Sequence, residues 1–228
     1  MKNLFIFCAL FIATQSLQAQ NNLSGVYGYS KKPLGNTGND KNATGPSGNL
    51  VLLKMEGNKY RFWLDVTIGW PSYNSGETDG TITFVKDTAS FDNTHEGAES
   101  SCILKFKIAG TTVHINKHSA SFNCGFGNNV RAEGDYTRLA TQPRMDYTWL
   151  KKQYPQTPTL VITAKKAELF QDENARNPYP KNQSFTKGDT LISIAETERT
   201  VYTEFISSTG KFIYGWLKKT DVKMNEGD

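Results

Sequence analysis

Three cysteines, three histidines and 22 carboxylates are the side chains in this 228-residue chain most able to do chemistry. Cys102 and Cys124 bracket His114 and His118 in sequence, so two chemistries compete. A nucleophilic Cys124 served by an imidazole needs a helix N-terminus or a nearby cation to lower its pKa. The segment Cys124-Gly125-Phe126-Gly127-Asn128-Asn129 reads instead as a turn. Two cysteines in an exported chain pair, and a Cys102–Cys124 bridge closing about 23 residues is worth roughly 3 kcal/mol in the chain-entropy model. His114 and His118 invite a metal, but four residues along a strand separate them by roughly 13 Å, too far for one ion. No pair of carboxylates stands out for glycoside hydrolysis. Nucleophile-elbow, zinc-helix, Walker and dinucleotide motifs are absent. No catalytic residue, metal or cofactor is assigned, and a binding protein is expected. A hydrolase with a site between two domains is the alternative.

Aromatic residues suggest recognition. Tyr179 sits in the proline-rich stretch Asn177-Pro178-Tyr179-Pro180, and Tyr202, Tyr214 and Trp216 lie in strand-like runs. Aromatic faces of this kind stack on sugars and extended peptides. Trp216 is expected first as a core residue, with a place in a binding groove as the alternative. The segment from Gly69 to Gly80 places Trp70 and Tyr73 in a turn-forming loop. It is expected first as a structural turn, with recognition, a common role of loops on β scaffolds, as the alternative. Its Glu77 and Asp79 are too few for a convincing Ca²⁺ site.

These residues need rigid supports, and the supports read as β. Tyr60, Phe62, Leu64, Val66 and Ile68 alternate with Arg61, Trp63, Asp65 and Thr67, the period of a strand with one buried face. Leu50 to Met55 precedes it across a Gly57-Asn58 hairpin signal. Further strands fit Thr81 to Val85, Cys102 to Ile108, Val113 to Ile115 and Val130 to Tyr136. Seven or eight short antiparallel strands over residues 20–139 suggest a small barrel or sandwich, interrupted by a long loop from Lys31 to Gly48. Residues 140–159, with Pro143, Pro155 and Pro158, form a semi-rigid linker holding a short helix within Arg144 to Gln153. Residues 160–228 return to β, so the fold class is all-β with two small antiparallel domains.

Met1 to Ala19 combines Lys2, an apolar run from Leu4 to Ala13 and a small residue at Ala19. It is expected to be a signal peptide cleaved before Gln20, since ten apolar residues reach only about 15 Å as a helix. Export to the periplasm or beyond follows, with no membrane insertion. The formal charge of +4, from 26 basic and 22 acidic residues, gives no dominant field for nucleic acid.

The second β segment resembles the bacterial SH3-like domain. A strand at Leu160 to Ile162, a long loop, the KGDTL turn at Lys187 to Leu191, and Tyr214-Gly215-Trp216-Leu217 running into Asp221 carry the resemblance over about 63 residues. It implies a small barrel closed by a Gly-Trp pair, work at the cell envelope, and peptidoglycan or peptide as ligand. The first segment is similar to cysteine-bridged β domains of secreted bacterial proteins, some of them lysozyme-inhibitor-like. Cys102-x-Leu104-x-Phe106, Cys124-Gly-Phe-Gly and Gly134-Asp135-Tyr136 carry that similarity. The Ser-Gly-x-x-Tyr loop of such inhibitors is missed by one residue at Ser24-Gly25-Val26-Tyr27. At Ser75-Gly76 an aspartate, Asp79, stands where tyrosine is wanted. The expected partner is a cell-wall glycopeptide or a protein.

Overall fold

A computed structural model describes residues 22–33, 37, 40–94, 101–117, 121–180 and 183–225. The leader, His95 and His118 lie outside them. Eight strands form the first half: β1 (Gly25–Ser30), β2 (Ser47–Lys54), β3 (Lys59–Thr67), β4 (Ser75–Thr83), β5 (Thr88–Asp92), β6 (Ile103–Ala109), β7 (Thr112–Lys117) and β8 (Gly134–Arg138). They make one antiparallel sheet in the order β4-β3-β2-β1-β8-β7-β6-β5. Chain neighbours lie side by side and β8 returns to β1, so the sheet curls into a nearly closed barrel. Its gap separates β4 from β5.

Alternation fills this barrel. Tyr60, Phe62, Leu64 and Val66 of β3 point inward against Leu50, Leu52, Leu104, Phe106, Ile115 and Tyr136. An eight-stranded barrel is just wide enough for side chains to occupy its interior, and burying each large side chain stabilises by about 1.5–3 kcal/mol. Cys102 and Cys124 are bonded as a disulfide, tying the 3₁₀ turn Ser121–Cys124 to the start of β6. The following residue pair, Phe126 and Gly127, covers one end of the β4 edge through the Gly76↔Phe126 bridge and the Gly127 N–H on the Ser75 carbonyl.

Three boundaries differ from the sequence expectation. Residues 75–80 are strand rather than loop, because every residue of β4 pairs with β3, from Thr67↔Ser75 to Lys59↔Thr83. The last strand of the barrel is Gly134–Arg138, while Val130 and Ala132 are buried in irregular chain. The loop expected to run to Gly48 ends at Pro46, since Ser47 and Gly48 already pair with β1.

The second half opens with helix α1 (Tyr147–Gln153), where the Asp146 carboxylate caps the Trp149 N–H at 3.0 Å. Seven strands follow: β9 (Thr159–Ile162), β10 (Lys166–Glu168), β11 (Ser184–Thr186), β12 (Thr190–Glu196), β13 (Thr200–Ile206), β14 (Phe212–Lys218) and β15 (Val222–Asn225). Five form an antiparallel sheet in the order β14-β13-β12-β9-β15, and β10 pairs with β11. Leu160, Ile162, Leu169, Leu191, Val201 and Leu217 make its core. Among the described residues the fold is therefore all-β apart from one short helix and two 3₁₀ turns.

A third cluster joins the halves. Val26, Val51, Leu53, Met55 and Trp63 on the barrel exterior pack on Leu150 of α1 and on Ile192, Ile206 and Phe212. Trp63 meets Trp149, Tyr154 and Phe212 edge-on, with centroids 5.7, 6.1 and 6.2 Å away.

Candidate functional site

Strand period two explains why the aromatics converge. Tyr202, Glu204 and Ile206 share one face of β13, and Phe212, Tyr214 and Trp216 share the matching face of β14, paired as Tyr202↔Trp216 and Glu204↔Tyr214. The opposite face carries Leu217 and Val201 into the second core. Trp216 is thus half-buried and not a core residue; Leu217 takes the inward position. Its ring lies 5.3 Å from that of Tyr202.

Gly215 admits the fourth aromatic. It adopts φ +149°, and a Cβ there would stand 2.7 Å from the Phe170 carbonyl and 2.8 Å from the Tyr179 ring. Only glycine lets the loop carrying Tyr179 approach this strand so closely. Tyr179 then packs edge-on against Tyr214, with centroids 6.0 Å apart. Tyr179, Tyr202, Tyr214 and Trp216 are consequently brought together, as the aromatic pattern suggested. Trp70 and Tyr73 are not. They lie in the β3–β4 connection at the opposite end of β3, where Tyr73 is 47% exposed.

A groove of about 500 Å³ opens where Tyr179 and Tyr214 meet the barrel; Tyr202 and Trp216 do not line it. Met55, Met145, Phe212 and Pro180 supply apolar walls; Tyr179 and Tyr214 stand between them; Lys54, Glu56 and Lys211 supply charge. Tyr214 Oη accepts the Glu56 N–H at 3.0 Å, fixing the groove across the two halves. Burial raises the pKa of Tyr179, Tyr202 and Tyr214, with neighbouring tyrosines adding to the effect at Tyr179. The three remain neutral phenols at physiological pH.

Beside the groove lies a buried ion cluster that the sequence reading did not single out. Arg61 pairs with Asp79 and with Glu204, its Nε lying 3.1 Å from Glu204 Oε1. That N–H is not directed along the contact, so it is an ion pair without a formed hydrogen bond at Nε. Arg61 donates to Tyr154 Oη at 2.6 Å, and Tyr154 donates to Glu204 Oε2 at 2.6 Å. Burial opposes the Arg61 charge, but Glu204, Tyr154 and Asp79 outweigh it and hold its pKa above the usual value. Burial raises the Glu204 pKa, more than Arg61 and the Tyr154 hydrogen bond lower it. Asp79 is therefore engaged in an ion pair and is not a free Ca²⁺ ligand. His114 pairs with Asp135 across β7 and β8. Among the described residues no three His, Cys, Asp or Glu side chains converge as a metal site, and no helix is long and apolar enough to cross a membrane.

Compared with known protein families, with curated proteins and with solved structures, the chain matches none.

Proposed function

We propose that the chain is an exported, non-catalytic binding protein of the bacterial cell envelope, whose seam groove holds an extended segment of cell-wall glycopeptide. The observation that carries this reading is the meeting of Tyr179 and Tyr214 with Met55 and Glu56 across the two halves. Such a groove offers ring faces and thioether walls to an extended chain, with hydroxyls and charges at its rim. The polar side chains deeper in the seam bond to one another instead of converging on an open cleft, which favours binding over hydrolysis. The disulfide and the leader support export. The strand order of the second half and the Gly215-Trp216 pair beside the groove support an SH3-like reading of that half.

The test is sedimentation with purified peptidoglycan. Wild-type chain is expected in the pellet, and Tyr179→Ala is expected to bind roughly tenfold more weakly, as loss of an interfacial aromatic does. Wild-type chain that stays in the supernatant overturns the reading. A Tyr179→Ala variant that binds undiminished moves the site away from the groove.

A further inference from the structure

The barrel gap carries a second feature, independent of the seam groove. The β3–β4 ladder is fixed in parity at both ends: the Ile68 N–H bonds the Asn74 carbonyl, and the Phe84 N–H bonds the Asn58 carbonyl. Even-numbered residues of β4 therefore bond to β3, and Thr81 and Thr83 turn their backbone groups toward β5. On β5 the Ile108 N–H bonds the Asp87 carbonyl and the Asn93 N–H bonds the Cys102 carbonyl. Ser90 thus faces back toward β4. Among the described residues no ladder joins the two strands; a single Val85↔Thr88 bridge closes the hairpin.

Over this unpaired strip lies a trough of about 780 Å³. The polar residues lining it are Lys105, Lys107, Thr81, Thr83, Thr88, Ser90 and Asn116. No carboxylate lines it; Asp87 is in the adjoining turn but outside the lining. Lys59, opposite Thr83 on β3, and Lys86 in the turn stand at the rim. None of these four lysines forms an ion pair with a described acid. Most described lysines are likewise without an ion pair, Lys166 with Glu168 and Lys219 with Glu196 being the exceptions. What sets the trough apart is the absence of any carboxylate from its lining. Lys105 and Lys107, two apart on one strand face, leave the backbone about 7 Å apart along the strand.

We propose that this trough is a binding surface for a linear phosphate-bearing polymer. Unpaired ammonium groups repeating along a strand match anionic groups repeating along a chain. The hydroxyls, the amide and the unladdered N–H groups of Thr81, Thr83 and Ser90 supply the neutral donors that phosphate oxygens accept. The concave form suits a chain lying in it. A bilayer would ask for a convex basic face with several apolar side chains, and Val85 is the one strongly exposed large aliphatic at this place.

The probe is fluorescently labelled long-chain inorganic polyphosphate, titrated with the chain at a series of salt concentrations and read by anisotropy. Lys105→Gln/Lys107→Gln is compared with Lys165→Gln/Lys187→Gln, which removes the same charge from exposed positions of the second half. The trough pair is expected to bind at least tenfold more weakly, with the slope of log K against log salt reduced by roughly one to two. The control pair is expected to stay within twofold of wild type. A thermal melt checks folding; if the trough pair fails it, Lys59→Gln/Lys86→Gln at the rim replaces it, with about a threefold loss expected. Equal losses in the trough and control pairs would mean diffuse charge attraction and overturn the proposal. Absence of wild-type binding overturns it too.

Discussion

Replacing Arg61 by leucine should destabilise the whole chain, because it removes the cation that two carboxylates and a phenol share. The Arg61 side chain is 10% exposed and that of Glu204 is 3% exposed, so water cannot substitute for the lost partner. Removing one member of a buried pair costs about 3–5 kcal/mol, mostly through the charge left behind. For a chain of this length each kcal/mol lowers Tm by roughly 2–4 °C, so a fall on the order of 10 °C is expected in calorimetry. The pH dependence adds a sharper check. Glu204 has a folded pKa raised above its unfolded value, so the folded state binds its proton more tightly. Its contribution to stability is present below the unfolded pKa and is lost as pH rises through the folded one. Without Arg61 that loss grows, so the deficit of Arg61→Leu should be larger at neutral pH than near pH 4.5, about the ordinary glutamate value. Arg61→Leu/Glu204→Leu should recover much of the deficit, since no buried charge is left unpaired and the remaining Asp79, 47% exposed, is solvated by water. A deficit below about 1 kcal/mol that is identical at both pH values would refute the reasoning. So would a melt in which one half shifts and the other does not, because the cluster spans β3, β4 and β13.

Two further outcomes follow from the fold. Thiol titration of unreduced, denatured protein should find neither Cys102 nor Cys124 free, and the Cys102→Ser/Cys124→Ser variant should lose about 3 kcal/mol of stability in denaturant titration. Gly215→Ala should cost about 1–3 kcal/mol. Its Cβ would meet the Phe170 carbonyl and the Tyr179 ring, and it would shift tryptophan fluorescence as the reciprocal Phe170–Trp216 backbone bonds, both 2.9 Å, are strained. A Gly215→Ala variant with wild-type stability and spectrum would show that the Tyr179 loop does not depend on that approach.

Strand-level structure was legible because its cause is local. Tyr60, Phe62, Leu64 and Val66 alternate on β3, the Gly57 turn precedes them with φ +60°, and Leu191, Val201 and Leu217 mark the second core. The convergence of Tyr202, Tyr214 and Trp216 was legible for the same reason, since period two and hairpin pairing place them on one face. What escaped was the seam, whose cause is not local. A half-buried strand was expected to show its polar face to water, yet Arg61 and Trp63 on that face are 8% and 7% exposed. The covering comes from Leu150, Ile206 and Phe212, more than eighty residues away in the chain. A signal for it was nevertheless present: Leu50 to Leu53 is apolar at every position, which a strand with one wet face has no reason to be. Leu50 and Leu52 fill the barrel while Val51 and Leu53 face the second half. Glu204, the lone acid within Val201 to Ile206, carried a matching signal, because a carboxylate placed among apolar strand residues needs a buried cation. Arg61, the one basic residue amid the apolar run Tyr60 to Val66, answers that need in the structure. Two such anomalies on strands far apart in sequence, one cationic and one anionic, define a contact that neither strand reveals alone.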